Sequence, residues 1–84
     1  MKAFEPAYSQ EALASLLTAG GTRRRHALAV IGRLSRLPVR VGDCQIQGPE
    51  GRHRQLLLQE GLLLTYWVDD AAREVRIVTI EWPG

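Results

Sequence analysis

The fold is decided by the stretch LLLTYWVDDAAREVRIVTIEW, which occupies residues 62–82. Two runs rich in β-branched and aromatic residues, 62–68 and 75–80, flank a short Asp-Asp-Ala-Ala turn, which predicts an antiparallel hairpin. Both runs carry apolar side chains at odd and even positions, so both faces of these strands are expected to be partly covered. This pattern is typical of central strands and predicts a larger sheet around the hairpin.

Two helices are predicted between the sheet and a short first strand at residues 3–5, which Pro6 ends. Ser9 is a favourable N-cap for the first helix, and the pair Gly20-Gly21 is expected to end it. Thr22 is expected to cap the second helix. The core-facing stripe of that helix consists of Ala27, Val30, Ile31 and Leu34. Its opposite face carries Arg25, Ala29, Arg33, Arg36 and, at the far end, Arg40.

The second half of the chain predicts two strands before the hairpin, at residues 42–47 and 52–59. A turn at 48–51 separates them, and Glu60-Gly61 links the second of them to the hairpin. The prediction is therefore one α+β domain over residues 1–84. It begins with a short N-terminal strand and a two-helix hairpin, and a four-stranded antiparallel meander follows, with the helices packed on one face.

Composition limits the classes of protein to which the chain can belong. The single cysteine, Cys44, excludes an internal disulfide, gives no metal site and suits a reducing cytoplasm. No apolar run approaches the roughly 20 residues that span a bilayer, and the N-terminus lacks the apolar stretch of a signal peptide. We therefore expect a cytoplasmic protein with no membrane partner, no cofactor and no metal.

Charge is distributed unevenly along the chain. Residues 1–40 carry seven basic and two acidic side chains, whereas residues 41–84 carry four and seven. This asymmetry predicts a basic helical side and a more acidic sheet. Arg23, Arg24 and Arg25 fall where the second helix should begin, although the helix dipole disfavours cations there. Either that helix begins later and the three are solvated on a loop, or the cluster is kept for an acidic partner.

Six leucines carry a separate prediction. They are Leu56, Leu57, Leu58, Leu62, Leu63 and Leu64. Because side chains alternate along a strand, three of them are expected on each face of the sheet. The helices can cover only one face, so the other exposes an apolar patch of the kind that marks a partner surface. A helix or strand of a partner protein, or a second copy of this chain as a homodimer, would fit there.

The order and spacing of several motifs resemble the RelE/ParE superfamily of bacterial toxin–antitoxin modules. The residues that carry the resemblance are Arg-Leu-Ser-Arg-Leu-Pro at 33–38, Gly42-Asp43, Tyr-Trp-Val-Asp-Asp at 66–70 and Val-Arg-Ile-Val-Thr-Ile at 75–80. The resemblance implies a RelE/ParE-like fold and a growth-inhibiting toxin that is neutralised by a cognate antitoxin protein. It also implies one of two activities, either mRNA cleavage on the ribosome or poisoning of DNA gyrase.

The chain departs from the nuclease members of that family at their basic positions. Those positions correspond here to Leu56, Leu58 and Leu63, and the usual His-Arg ending falls near Trp82-Pro83. Without cations, little stabilises the charge that develops on the phosphorus during cleavage. The resemblance then implies a toxin that binds a target such as gyrase or the ribosome. The candidate antitoxin- or partner-binding residues are Arg23, Arg24, Arg25, Arg33, Arg36, Leu56, Leu58, Leu63 and Trp82.

Two alternatives stay open. One is a ribosome-dependent mRNA endoribonuclease with relocated catalytic residues, namely Arg52, His53, Arg54 and Arg76, in which His53 would be the general acid or base. The same residues also fit a solvated strand entrance. The other alternative is a non-toxic interaction module derived from the same fold. Tyr66 is expected in the core, whereas Trp82 fits either the core or a stacking surface.

Overall fold

The structure of the protein is a computed structural model that describes residues 4–36, 44–47 and 53–83. The elements in chain order are β1 (Glu5–Tyr8), α1 (Gln10–Thr18), α2 (Gly21–Arg36), β2 (Cys44–Gln47), β3 (His53–Gln59), β4 (Leu62–Asp69) and β5 (Glu74–Glu81). The strands form one sheet in the order β1-β5-β4-β3-β2. β1 pairs with β5 in parallel, and all other pairs are antiparallel, so the predicted α+β order and the meander are confirmed.

The predicted hairpin forms the centre of this sheet. β4 lies between β3 and β5, and β5 is itself covered by β1, so both strands are central, as their apolar patterns predict. A two-residue turn joins β3 to β4, and its residues Glu60 and Gly61 both have positive φ angles, of 49° and 80°. Two positive φ angles are what a type I′ hairpin turn requires, which explains the glycine.

A β-bulge interrupts β5 at Val78. Thr65 pairs with Thr79, but the next residue, Tyr66, pairs with Ile77, so Val78 is an extra residue on β5. If Val78 were not an extra residue, regular alternation would point Ile77 toward the helices and Ile80 toward the opposite face of the sheet. With it, Ile80 is buried in the core and pairs with Leu64.

The helices bury one face of the sheet. The core unites helix and strand residues in one cluster, which consists of Ala12, Leu16, Ala27, Val30, Ile31, Leu34, Leu62, Leu64, Tyr66, Val75, Ile77 and Ile80. The predicted stripe of α2 is confirmed in full, and so is the burial of Tyr66. In α1, Ala12 and Leu16 are buried, whereas Leu13 and Leu17 are exposed.

The predicted short N-terminal strand is confirmed, but its bounds of 3–5 are wrong, since β1 runs from Glu5 to Tyr8 and contains Pro6. The amide group of Glu5 donates to Arg73 O in the turn before β5, and that of Ser9 donates to Ile77 O within β5. Alternation therefore turns the nitrogen of Pro6 away from β5, toward the outer edge of the sheet. A proline is tolerated there because no hydrogen bond is required of it.

The predicted ends of the helices also need correction. α1 ends without a glycine, because its C-cap is Ala19 in an extended conformation and Gly21 already belongs to α2. The first hydrogen bond of α2 runs from Arg24 N to Gly20 O, so the helix begins before Thr22 rather than after it. Arg23, Arg24 and Arg25 therefore lie on the helix and not on a loop. The predictions for Leu37-Pro38, Arg40, Gly42-Asp43 and the turn at 48–51 fall outside the described residues.

Ser9 connects three elements through four hydrogen bonds. Its amide donates to Ile77 O, and its carbonyl accepts from Leu13 N in α1. The hydroxyl accepts from Ala12 N at 3.0 Å, which is the predicted N-cap, and donates to Val78 O at 2.6 Å. The residue that starts α1 thus also binds the carbonyl that the bulge displaces.

We expect Ser9→Ala to lower the free energy of unfolding by about 1–2 kcal/mol, because it removes both the cap of α1 and the bond to the bulge. Urea denaturation followed by circular dichroism measures this. Ser15→Ala on the same helix is the matched control and should change the value by less than about 0.5 kcal/mol. Equal effects of the two substitutions would show that the hydroxyl of Ser9 has no special role.

Candidate functional site: the open face of the sheet

The face of the sheet that points away from the helices carries most of the predicted site. The core residues of β4 and β5 point toward α1 and α2, so the alternate residues point the other way. We call this side the open face. Its members along β3, β4 and β5 include Arg54, Leu56, Leu58, Leu63, Trp67 and Arg76.

The three leucines of the open face lie together. Leu58 pairs directly with Leu63 across β3 and β4, and Leu56 lies two residues before Leu58 on the same strand. Leu58 is 57% exposed, which is high for a leucine on a sheet. The other three leucines of the set, Leu57, Leu62 and Leu64, face the helices. The predicted division of three leucines to each face is confirmed, and we call Leu56, Leu58 and Leu63 the leucine patch.

Arg76 lies on the open face but is held by two carboxylates. Its guanidinium is 2.9 Å from Glu74 Oε1 and 3.4 Å from Asp69 Oδ2. It also lies 5.5 Å from the centre of the Trp67 ring, within the range of a cation–π contact. Since two acidic side chains offset its charge, Arg76 is poorly suited to stabilise a phosphate that is gaining negative charge.

The other predicted catalytic residues belong to β3 or precede it. Arg54 lies on the open face, two residues before Leu56. The backbone of His53 pairs with Gln47 at the start of β3. Arg52 lies outside the described residues, so a relocated catalytic site that includes Arg52, His53 and Arg54 remains a prediction.

A smaller hollow of about 230 Å³ adjoins Arg76 where the open face meets β1. Tyr8 and Trp67 contribute to its lining. Burial raises the pKa of the Tyr8 phenol above its ordinary value of 10.0, so the hydroxyl stays protonated at neutral pH. The hollow thus offers a neutral phenol beside an arginine whose charge is already balanced.

The predicted arginine cluster divides into separate roles. Arg24 binds the C-terminal carbonyls of α1, with Nε 2.8 Å from Leu16 O and Nη2 3.0 and 3.1 Å from Leu17 O and Ala19 O. A cation at this end is favoured by the dipole of α1, which offsets its unfavourable place in the first turn of α2. Arg24 is therefore a structural residue.

The remaining arginines of α2 face solvent. Arg25, Arg33 and Arg36 are exposed on one side of the helix, and α2 contains no Asp or Glu. Within the described part of the chain, none of the three forms an ion pair. We call them the arginine face. This is the basic helical side that the charge distribution predicts.

A second hollow, which we call the end hollow, lies between α2 and the end of the sheet. Its volume is about 460 Å³, and its lining consists of Thr22, Arg23, His26, Glu60, Gly61, Trp82 and Pro83. Trp82 is half-buried and packs against the core, while the guanidinium of Arg23 lies 5.4 Å from the centre of its ring. Trp82 thus combines the two predicted roles, because it closes the core on one side and lines a surface hollow on the other.

Sequence reasoning named Arg23 and Trp82 as partner-binding candidates but missed the end hollow that they form together with His26. His26 follows Arg23 by three residues and so shares its side of the helix, which is a local signal. Its proximity to Trp82, 56 residues later, comes only from the packing of α2 against the end of β5. No local pattern contains that information.

Two classes of feature are absent from the described residues. Neither α1 nor α2 has the length and apolar character that a membrane crossing needs. Within residues 4–36, 44–47 and 53–83, no three His, Cys, Asp or Glu side chains come together in a way that could hold a metal ion.

Comparison with solved structures assigns the fold. A chain of the toxin–antitoxin complex RelBE2 from Mycobacterium tuberculosis matches with a TM-score of 0.79 and 19% identity, covering 98% of this chain and 100% of that one. The isolated RelE toxin of E. coli matches with a TM-score of 0.76 and 19% identity, covering 98% and 86%. A chain of the intact E. coli RelBE toxin–antitoxin complex gives 0.69 and 18%, covering 98% and 99%. The sequence matches no family profile and no curated protein. The chain therefore has the RelE fold, as the motifs predict.

We expect Arg24→Gln to lower the free energy of unfolding by about 1 kcal/mol or more, because the charged donor to three carbonyls is lost. Arg25→Gln, one position later on the same helix, should change it by less than about 0.5 kcal/mol. Urea denaturation of the two variants side by side measures the difference. If both variants unfold together with the parent protein, Arg24 does not cap α1.

Proposed function

We propose that this chain is the toxin of a type II toxin–antitoxin module. The observation that carries the proposal is its likeness to RelE, which extends over 98% of the chain and includes two toxin–antitoxin complexes. Because a fold can host several functions, the proposal also needs a surface that a partner would cover. The leucine patch supplies one.

The cognate antitoxin is proposed to bind the open face. Three leucines lie together there, and burying a leucine side chain contributes about 1.5–3 kcal/mol. An amphipathic helix of the antitoxin, with apolar residues three and four apart, would cover the leucine patch in the way that helices bind apolar grooves. The arginine face of α2 would take acidic residues of the same partner, because its cations have no ion-pair partners within the described chain. A second copy of the chain is the rival occupant of the leucine patch.

The toxin is proposed to act by binding its target, gyrase or the ribosome, and not by cutting RNA. Leucines occupy the positions that the family resemblance assigns to cations, and they lie on the open face. The arginine of β5 that shares this face, Arg76, is balanced by Asp69 and Glu74. Glu81, which pairs with Leu63, is exposed and its carboxylate lies 3.4 Å from the hydroxyl of Thr79.

An endoribonuclease is the second candidate function, and one observation favours it. Arg54, Trp67 and Arg76 share the open face, so an RNA strand on that side would meet an aromatic ring and two arginines, of which Arg76 is paired with Asp69 and Glu74. Arg52 and His53 would complete the relocated site. A non-toxic interaction module would keep the leucine patch and have no target.

The first prediction concerns the antitoxin. Induction of this chain alone should arrest bacterial growth, and co-expression of the neighbouring gene should restore it. Leu58→Lys should weaken binding of that gene's product at least tenfold, because it places a charge in a desolvated apolar contact. Isothermal titration calorimetry with the two purified proteins measures the change.

Leu17→Lys is the matched control for this test. Leu17 is 67% exposed but lies on α1, away from the open face, so its replacement should change the affinity less than twofold. Equal losses in the two variants would remove the leucine patch from the interface. Normal growth on induction, with soluble folded protein, would favour the non-toxic module.

The second prediction separates the two toxin mechanisms. The double variant Arg54→Gln with Arg76→Gln should arrest growth as strongly as the parent chain, and mRNA ends mapped in arrested cells should show no new cleavage sites. Arg25→Gln with Arg33→Gln gives a control for the loss of two positive charges elsewhere. New mRNA ends that disappear only with the first pair would establish the nuclease instead.

A further inference from the structure

The end hollow is a separate surface feature from the open face. Three parts of the chain bound it: the first turn of α2, the β3–β4 turn, and the residues that follow β5. Its volume of about 460 Å³ exceeds what a single side chain fills. None of the functions argued above uses it.

Arg23 gives the end hollow a positive charge. Its guanidinium lies 5.4 Å from the centre of the Trp82 ring. Although Glu60 lines the same hollow, Arg23 and Glu60 form no ion pair with each other. Among the described residues, the guanidinium thus has an aromatic contact and no carboxylate partner.

The start of α2 adds hydrogen-bond donors on the same side. The first bond within the helix is donated by Arg24, so the amide groups of Gly21, Thr22 and Arg23 have no acceptor within the helix. Gly20, at the N-cap position, has no side chain to accept from them, and the first turn contains no acidic residue. Thr22 and Arg23 both line the hollow.

One buried aromatic donor completes the polar lining. The indole nitrogen of Trp82 is buried and has no acceptor among the described residues. Buried donors are usually satisfied, so an unsatisfied one in a residue that lines a cavity points to a missing acceptor. Nε2 of His26 lies 3.2 Å from Gln59 O, and because a carbonyl only accepts, its hydrogen is already used there and His26 only shapes the wall. The hollow also holds one acidic residue, Glu60.

The end hollow opens at the same end of the sheet as the leucine patch. Leu58 lies on β3, two residues before Glu60 of the β3–β4 turn. On the neighbouring strands, Leu63 pairs with Glu81, which directly precedes Trp82. A chain that leaves the leucine patch at this end therefore meets the hollow within a few residues.

We infer that the end hollow is a carboxylate-binding subsite, which takes an Asp or Glu side chain of the partner protein just beyond the segment that covers the leucine patch. The inference rests on the proposed function for the identity of the partner. A single carboxylate matches the donors of α2 and Arg23, whereas a phosphate would bring a second negative charge against Glu60.

The test uses the full chain labelled with ¹⁵N and a defined probe, the acetylated and amidated hexaglutamate peptide. The chain has two tryptophans, so its spectrum holds two indole N–H signals, which Trp67→Phe assigns. Hexaglutamate should shift the Trp82 signal in a saturable way and leave the Trp67 signal in place. The matched hexaglutamine peptide should shift neither signal.

Variants locate the binding. Arg23→Gln should weaken hexaglutamate binding at the Trp82 signal at least fivefold. Arg73→Gln removes the same charge in the β4–β5 turn, outside the hollow and the arginine face, and should change that binding less than twofold. Glu60→Gln should tighten it, because a repelling charge is removed. Equal losses at Arg23 and Arg73, or an unmoved Trp82 signal, would overturn the inference. Saturation by inorganic phosphate at equal or lower concentration would overturn the preference for a carboxylate.

The measurement is independent of toxicity. If induction causes no growth arrest but hexaglutamate binds at Trp82 as described, the proposed function fails and the subsite stands. If the neighbouring gene's product neutralises the chain and binds it without moving the Trp82 signal, the subsite fails and the proposed function stands.

Discussion

The two hydrogen bonds of the Ser9 hydroxyl join α1 to β5, and the packing of the helices on the sheet depends on them. The hydroxyl accepts from Ala12 N and donates to Val78 O, so one oxygen starts α1 and binds the bulge of β5. The bulge in turn brings Ile80 into the core beside Ile77. If the bulge were absent, the last third of β5 would present its apolar side chain to the open face, and the face left for a partner would be different. The position of the helices and the composition of the open face are thus linked through a single residue.

The division of the leucines explains how a chain of this size can keep a core and still expose an apolar surface. Leu62 and Leu64 are buried with the helices, while Leu58 and Leu63 pair on the other side of the same strands. Within the described residues, the helices cover one face of the sheet, and the open face is apolar at one end and charged at the other. The charged end holds Arg76 between two carboxylates, which favours a binding surface over a catalytic one.

Local patterns were sufficient to predict the hairpin, the apolar stripe of α2 and the leucine patch, because alternation and helical spacing are properties of neighbouring residues. They were insufficient where a distant element decides the outcome. Pro6 is acceptable within β1 only because its nitrogen faces away from β5, in which its pairing partner Val75 lies 69 residues later. Arg24 lies in a first helical turn because α1 offers it three carbonyls. The end hollow requires His26 and Trp82 to meet, and only the tertiary packing brings them together. The motif spacing did predict the RelE fold, because it reflects the order of the elements.

Pro6 has a consequence for how the molecule behaves among copies of itself. β1 forms one rim of the sheet, and in the middle of that rim the proline offers no N–H to an incoming strand. Strand-to-strand stacking of many copies would need an uninterrupted ladder of donors along both rims. Pro6 therefore protects one rim of the sheet from fibre-like aggregation while Leu58 on the open face is exposed, and it removes no hydrogen bond from the sheet itself.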